Sequence, residues 1–169
     1  MPKSIGYCSI NVPKERYQLL EGDFPYQFEY SVYANLLECK SSSKMSYWID
    51  LYYPAFDATI YLSYHSVTDD HTMLNKLCKN ATILALKHQV KASLIEESIV
   101  QTPKGYQAHI IELFGEVPTP FQFYITDGQK HFLRCALYFK TAAKNDCLAP
   151  VIAYIKKDMM HMLHTLTWK

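Results

Sequence analysis

Asp127, Lys130, His131 and Arg134 fall within eight residues of one another, bringing together a carboxylate, an imidazole and two cations, the residue types of general acid–base chemistry. Such chemistry requires side chains that converge within hydrogen-bond reach. The four lie in the segment FQFYITDGQKHFLRCALYF, residues 121–139. There Phe121, Phe123 and Ile125 alternate with Gln122, Tyr124 and Thr126, and Leu133, Cys135, Leu137 and Phe139 alternate with Phe132, Arg134, Ala136 and Tyr138. Alternation on both sides of Thr126-Asp127-Gly128 predicts a β-hairpin. A two-residue Asp-Gly loop would pair Phe123 with Phe132 and Phe121 with Arg134, splitting the apolar set. A three-residue loop pairs Phe123 with His131 and Phe121 with Leu133, collecting that set on one face. The sequence therefore predicts a type I turn with a bulge, and Gly128 in the left-handed region. In this arrangement His131 points to the apolar face, Arg134 to the opposite face and Asp127 into the turn, where its carboxylate accepts local backbone N–H bonds. The four groups diverge, and a structural role is expected for each.

Asp158, His161 and His164 recur at steps of three near the C-terminus. At 100° per residue the two histidines turn away from the apolar stripe toward solvent, and a zinc site needs further ligands that are not nearby. His88 falls on an apolar stripe and reads as a core histidine. Five cysteines, Cys8, Cys39, Cys78, Cys135 and Cys147, contain no CxxC pair and are odd in number, which argues against a disulfide framework or a zinc site. Cys78 and Cys135 are expected to be small buried hydrophobes. There is no glycine-rich phosphate loop, no GxSxG and no HExxH. No catalytic, metal or cofactor residue is predicted. Asn80-Ala81-Thr82 fits a glycosylation pattern but falls within a helix.

The tyrosines are a different kind of feature. Tyr26, Tyr30, Tyr33, Tyr47, Tyr52, Tyr53, Tyr61 and Tyr64 concentrate in the first half, where cross-strand packing accounts for most of them. Exposed tyrosines are also enriched at protein interfaces. Tyr52, Tyr61 and Trp48 are therefore candidate partner-binding residues, together with Ile83 and Leu86, which fall off the apolar stripe of a helix and mark either a second covered edge or an exposed contact patch.

The elements that position these residues can be read from periodicity. Residues 1–24, around the apolar tract Ile10 to Val12, are expected to form an edge strand or a wrapping arm. Tyr26 to Leu37 is β-prone, and Cys39 to Lys44 with its three serines is a mobile loop. A second hairpin joins Trp48–Tyr52 to Ala58–Tyr64 through Pro54-Ala55-Phe56-Asp57, and a four-residue loop pairs Leu51 with Ile60 and Ile49 with Leu62. After the capping cluster Thr68-Asp69-Asp70, Leu74, Leu77, Cys78, Ala81, Leu84, Ala85 and His88 mark a helix of about five turns. Strands follow near Ala92 to Val100 and Tyr106 to Phe114, around the turn Thr102-Pro103-Lys104-Gly105. A last helix is expected with Asp146 as cap, Pro150 in its first turn, and a stripe of Leu148, Ile152, Ile155, Met159, Met162, Leu163 and Leu166. This predicts an α+β fold, a largely antiparallel meander sheet of about six strands packed with two amphipathic helices.

Composition limits the alternatives. At 169 residues and 49% hydrophobic, one domain spanning residues 1–169 is expected. Seventeen basic and sixteen acidic residues without like-charge runs predict no nucleic-acid partner and no direct attraction to an anionic membrane. No apolar run approaches the roughly 20 residues of a membrane span.

With these elements placed, the chain resembles the gliding motility lipoprotein GldD family over nearly its whole length. The resemblance rests on Gly6-Tyr7, Pro13, Tyr17, Pro25-Tyr26, Phe28-Glu29-Tyr30 and Tyr33-Ala34, then Trp48-Ile49, Tyr53-Pro54, Ala58-Thr59 and Leu62-Ser63-Tyr64. It continues through Lys87-His88 and Lys91-Ala92, and is densest at Thr126-Asp127, Lys130–Arg134, Leu137–Phe139, Leu148–Ile152, Thr165-Leu166 and Trp168-Lys169. It implies a noncatalytic, periplasm-facing lipoprotein of the cell envelope that supports gliding and type IX protein secretion by docking a membrane or periplasmic partner, without a cofactor. A signal peptide and a lipidated cysteine are expected upstream of this chain, so that membrane attachment runs through an N-terminal lipid. The layout is similar to that of PsbP-type proteins. A periplasmic module that holds a lipid, peptide or glycan with aromatic side chains is the alternative.

Overall fold

The computed structural model describes residues 11–39, 46–140 and 145–169, without the side chains of residues 88–90 and 145–147. The expected mobile loop at Cys39 to Lys44, apart from Cys39, lies outside the described residues. So do Cys8, Ile10 and the side chains of His88, Asp146 and Cys147.

Among the described residues eleven strands and two α-helices follow in order: β1 (Tyr17–Leu19), β2 (Tyr26–Gln27), β3 (Glu29–Ser31), β4 (Asn35–Glu38), β5 (Ile49–Tyr53), β6 (Ala58–Ser66), α1 (His71–Ala85), a 3-10 turn (Leu86–Lys91), β7 (Ala92–Gln101), β8 (Gln107–Gly115), β9 (Phe121–Thr126), β10 (His131–Phe139), α2 (Asn145–Thr165) and β11 (Thr167–Trp168). The fold is α+β. Seven strands form one antiparallel sheet in the order β4-β5-β6-β10-β9-β8-β7. It is not one continuous meander. β4-β5-β6 and β7-β8-β9-β10 are two meanders, and the chain leaves β6 through α1 to the far edge, so that β10 returns beside β6 with nine paired positions from His131↔Ser66 to Phe139↔Ala58.

The two faces are covered differently. Ile49, Leu51, Ile60, Leu62, Phe121, Phe123, Ile125, Leu133, Cys135 and Leu137 share a front face with Val151, Ile155, Met159, Leu163 and Leu166 of α2, and all are almost wholly buried. Burying each such side chain contributes about 1.5–3 kcal/mol. Two short ribbons, β1 with β3 and β2 with β11, close this layer, and Leu20, Phe24, Tyr26 and Phe28 enter its core. Tyr26 to Leu37 thus breaks into three short strands: β2 and β3 join the two ribbons, where Tyr26, Phe28 and Tyr30 meet the core, and β4 pairs with β5 at the edge of the large sheet. On the back face, α1 covers β8-β9-β10 only, with Ala81 against Tyr124 and Phe132 and Ala85 against Ile111, Leu113 and Val117.

Both hairpins keep the facing read from alternation. β5 and β6 pair Ile49 with Leu62 and Leu51 with Ile60, as expected. β9 and β10 differ: Phe123 pairs with Cys135 and Ile125 with Leu133, so the last paired residues are Thr126 and Phe132. The three-residue loop is overturned. Asp127 Oδ1 accepts the N–H groups of Gln129, Lys130 and His131 at 2.9–3.0 Å, and this wraps the chain around one carboxylate and lengthens the turn. The shift is even, so every side chain keeps its face, and Gly128 holds φ +79°.

α1 begins as expected, whereas its end and the start of α2 differ from expectation. Asp70 caps α1, accepting Met73 N at 3.0 Å, and Leu74, Leu77, Cys78, Ala81 and Ala85 face the sheet. Leu84 does not and is exposed, since at 100° per residue it falls at the margin of that stripe, and the chain tightens to 3-10 geometry at Leu86. α2 starts at Asn145, so Asp146 lies within the helix and Pro150 in the second turn. There its missing N–H forfeits one bond close to the terminus.

Candidate functional site

Among the described residues α1 does not extend over the back face of β5 and β6, and this is where Tyr52 and Tyr61 emerge. β5 presents Tyr52, β6 presents Thr59 and Tyr61, and β10 presents Tyr138. Tyr52 and Tyr138 both lie opposite Thr59 in the register, forming a row across three strands. Tyr61 is 42% exposed and meets Tyr138 edge to face with centroids 5.5 Å apart. The Tyr52 hydroxyl donates to Asp57 Oδ1 at 3.0 Å. With Lys140 these groups line an open cleft of about 280 Å³. Its walls are aromatic, with a carboxylate and an ammonium at the rim, a combination suited to gripping an amphipathic surface.

The candidate residues divide. Tyr52 and Tyr61 come together as one surface. Trp48 does not join them: its indole N–H donates to Tyr64 O at 2.7 Å and its ring abuts His65, which fixes it as a strut at the sheet end. Ile83 is 66% exposed on α1, whereas Leu86 packs half-buried against the cluster of Ala85, Ile111, Leu113 and Val117. The expected Ile83/Leu86 edge is therefore corrected, since the 3-10 turn rotates Leu86 toward the sheet. Tyr138 and Asp57 were missed by sequence reasoning. Tyr138 joins the surface through the β6–β10 pairing, which links strands far apart in the chain. Asp57 joins through a positive φ of 50° in the β5–β6 loop.

The titratable groups are engaged in local contacts. Tyr64 Oη and His131 Nδ1 are 2.6 Å apart, and the His131 ring stacks on Trp168 at 4.8 Å. Arg134, on the back face, donates to Gln122 Oε1. Burial raises the Asp127 carboxyl, but the three N–H bonds outweigh it and hold the group below the usual carboxylate range. Asp158 departs from the solvated face expected for the C-terminal histidines. It is fully buried, accepts the Tyr53 hydroxyl at 2.8 Å and the Tyr17 hydroxyl at 3.0 Å, and is pushed above the usual range by burial, which those two bonds oppose. Asp158 falls one step before Met159 and between Ile155 and Met162, hence on the inward side of the stripe. His161 instead stacks on Tyr17 at 3.7 Å and meets Glu29 at 2.8 Å, and His164 is exposed. Among the described residues no three His, Cys, Asp or Glu side chains gather as metal ligands. Cys135 is buried, with its thiol pushed up by that burial, and Cys78 is half-buried.

Burial also pulls His65, His109 and His131 below the usual imidazole range, opposed at His109 by Glu97 and at His131 by Asp127. Since the folded values lie below the unfolded value near 6.5, the unfolded chain binds protons first as pH falls. Stability is full above that value and declines through it toward the folded values. The melting temperature is expected to drop between about pH 7.5 and pH 5.5, and a His65→Gln/His131→Gln variant should show a flatter profile in thermal melts.

Among the described residues no helix is long and apolar enough to cross a membrane. The solution structure of cyanobacterial PsbP (CyanoP) from Synechocystis sp. PCC 6803 is similar in fold, with a TM-score of 0.55 at 11% identity, covering 95% of this chain and 97% of that one. No protein of curated function is significantly similar in sequence. The model of the family described as gliding motility lipoprotein GldD matches residues 1–168. The chain belongs to the gliding motility lipoprotein GldD family, envelope lipoproteins with a role in gliding motility.

Proposed function

We propose that this protein serves gliding motility and type IX secretion without catalysis, as a periplasm-facing lipoprotein that docks a membrane or periplasmic component of the machinery through the Tyr52/Tyr61/Tyr138 cleft. Attachment to the membrane runs through an N-terminal lipid, in keeping with the lipoprotein family. The observation that carries the reading is the asymmetry of the sheet: α2 and two ribbons seal the front, while α1 leaves aromatic side chains on the back half exposed beside an acidic and a basic group. Aromatic anchors beside satisfied polar groups are the usual centre of a protein interface. A photo-crosslinker at position 61, introduced in a gliding host, is expected to capture an envelope protein. The Tyr52→Ala/Tyr61→Ala variant should lose colony spreading while its melting temperature changes little. Capture of no envelope protein, together with full spreading by the variant, would sink the docking reading.

A second reading is favoured by the cleft of about 400 Å³ between α1 and the β7–β8 hairpin, where Thr82, Glu97, His109 and Tyr124 offer polar groups around stacked rings. Its size suits a small ligand. Native mass spectrometry of protein purified from its host distinguishes the two, since a retained lipid, peptide or glycan supports this second role.

A further inference from the structure

The two edges of the large sheet are unlike each other. β4 ends one side with four residues, while β7 ends the other with ten and, among the described residues, pairs only with β8. Proteins protect long edges with charged side chains, above all lysine, with proline, bulges or a covering element, because unpaired backbone N–H and C=O groups template the addition of another strand. β7 reads ASLIEESIVQ, with no proline and no cation, and its one irregularity lies at its start, between Ala92 and Leu94. Its side chains are mostly exposed: Leu94 by 51%, Ile99 by 61%, and the central Glu96 and Glu97 also face solvent. Among the described residues neither glutamate forms an ion pair.

We propose that the free edge of β7 is a strand-addition site for an extended basic segment of a partner protein. The charges select the occupant. A second copy pairing antiparallel at full overlap would set Glu96 opposite the copy's Glu97 and Glu97 opposite its Glu96. An in-register parallel copy would set each glutamate on itself. Like charges directly opposite destabilise a strand pair, and opposite charges stabilise it. Successive residues point to opposite faces, so Glu97 sits between Ile95 and Ile99 on one face and Glu96 between Leu94 and Ser98 on the other. The complementary strand carries two adjacent lysines or arginines flanked by β-branched apolar residues. Backbone bonds supply affinity and the basic pair fixes register, as in other strand-addition complexes. This surface is separate from the tyrosine cleft.

The test titrates the full chain with the peptide Thr-Thr-Val-Thr-Lys-Lys-Val-Val-Thr-Thr, following backbone amides by NMR and hydrogen exchange. Binding is expected with new protection confined to residues 92–101. The Glu96→Lys/Glu97→Lys variant should bind this peptide at least about tenfold more weakly, and should instead bind the peptide whose two lysines are glutamates. The Tyr52→Ala/Tyr61→Ala variant should bind like the parent chain. The proposal is overturned if the basic peptide leaves β7 unprotected, perturbs another surface, or if exchanging the charges on both sides does not restore binding.

Discussion

Asp158→Ala is expected to destabilise the protein by about 3 kcal/mol, because it leaves buried donors without an acceptor. The Tyr53 hydroxyl lies in a side chain only 1% exposed and has Asp158 Oδ2 as its partner. The Tyr17 hydroxyl binds the other oxygen from the N-terminal arm, so one carboxylate ties β1, β5 and α2 together. For a chain of this size the loss lowers the melting temperature by roughly 6–12 °C. Asp158→Asn keeps one acceptor oxygen and the shape, and should cost about half as much. The pH dependence separates charge from shape. Burial holds the folded carboxyl above its unfolded value, so its contribution is full below the unfolded value and is lost as pH rises through the folded one. The stability gap between the parent and Asp158→Asn should therefore narrow from about pH 4 upward. Chemical denaturation of both proteins across that range measures it, and a gap that widens would show that the hydroxyl bonds outweigh burial.

Gly115→Ala is expected to cost about 3 kcal/mol, against about 1 kcal/mol for Gly128→Ala. Both glycines have positive φ, +124° and +79°, but their surroundings differ. A Cβ at position 115 would stand 2.8 Å from Lys91 O and 2.9 Å from Ser93 N, both backbone atoms that cannot rotate aside. One at position 128 would meet nothing within 4 Å. The clash falls where β7 begins against β8, at the shift between Ala92 and Leu94. The alanine should loosen the start of β7 as well as lower stability, and hydrogen exchange at residues 92–96 together with urea denaturation tests both effects. Equal losses for the two variants would mean that φ alone sets the cost.

The family and the α+β class were legible because they rest on local patterns. Ile49, Leu51, Ile60 and Leu62 face the core on alternation alone, and α1 begins where the aspartate cap stands. The same alternation put Tyr52 and Tyr61 on one surface. The turn at 126–132 was misjudged in length because one carboxylate, Asp127, outbids the loop geometry that Gly128 favours, yet its facing survived since the shift was even. Leu86 was misplaced for a related reason: helix periodicity holds only until the backbone changes pitch.

What the sequence determined by itself is which side chains share a face and which residues can sit at a turn or cap, since these depend on neighbours one to four positions away. Only the tertiary structure decided that β10 lies beside β6, bringing Tyr138 to Tyr61, that α1 covers half a face and leaves β7 as a long open edge, and that Asp158 is buried under two tyrosines. Those outcomes depend on which distant segments meet. Many pairings satisfy the same alternation, and the choice among them is made by the summed burial and hydrogen bonding of the whole chain.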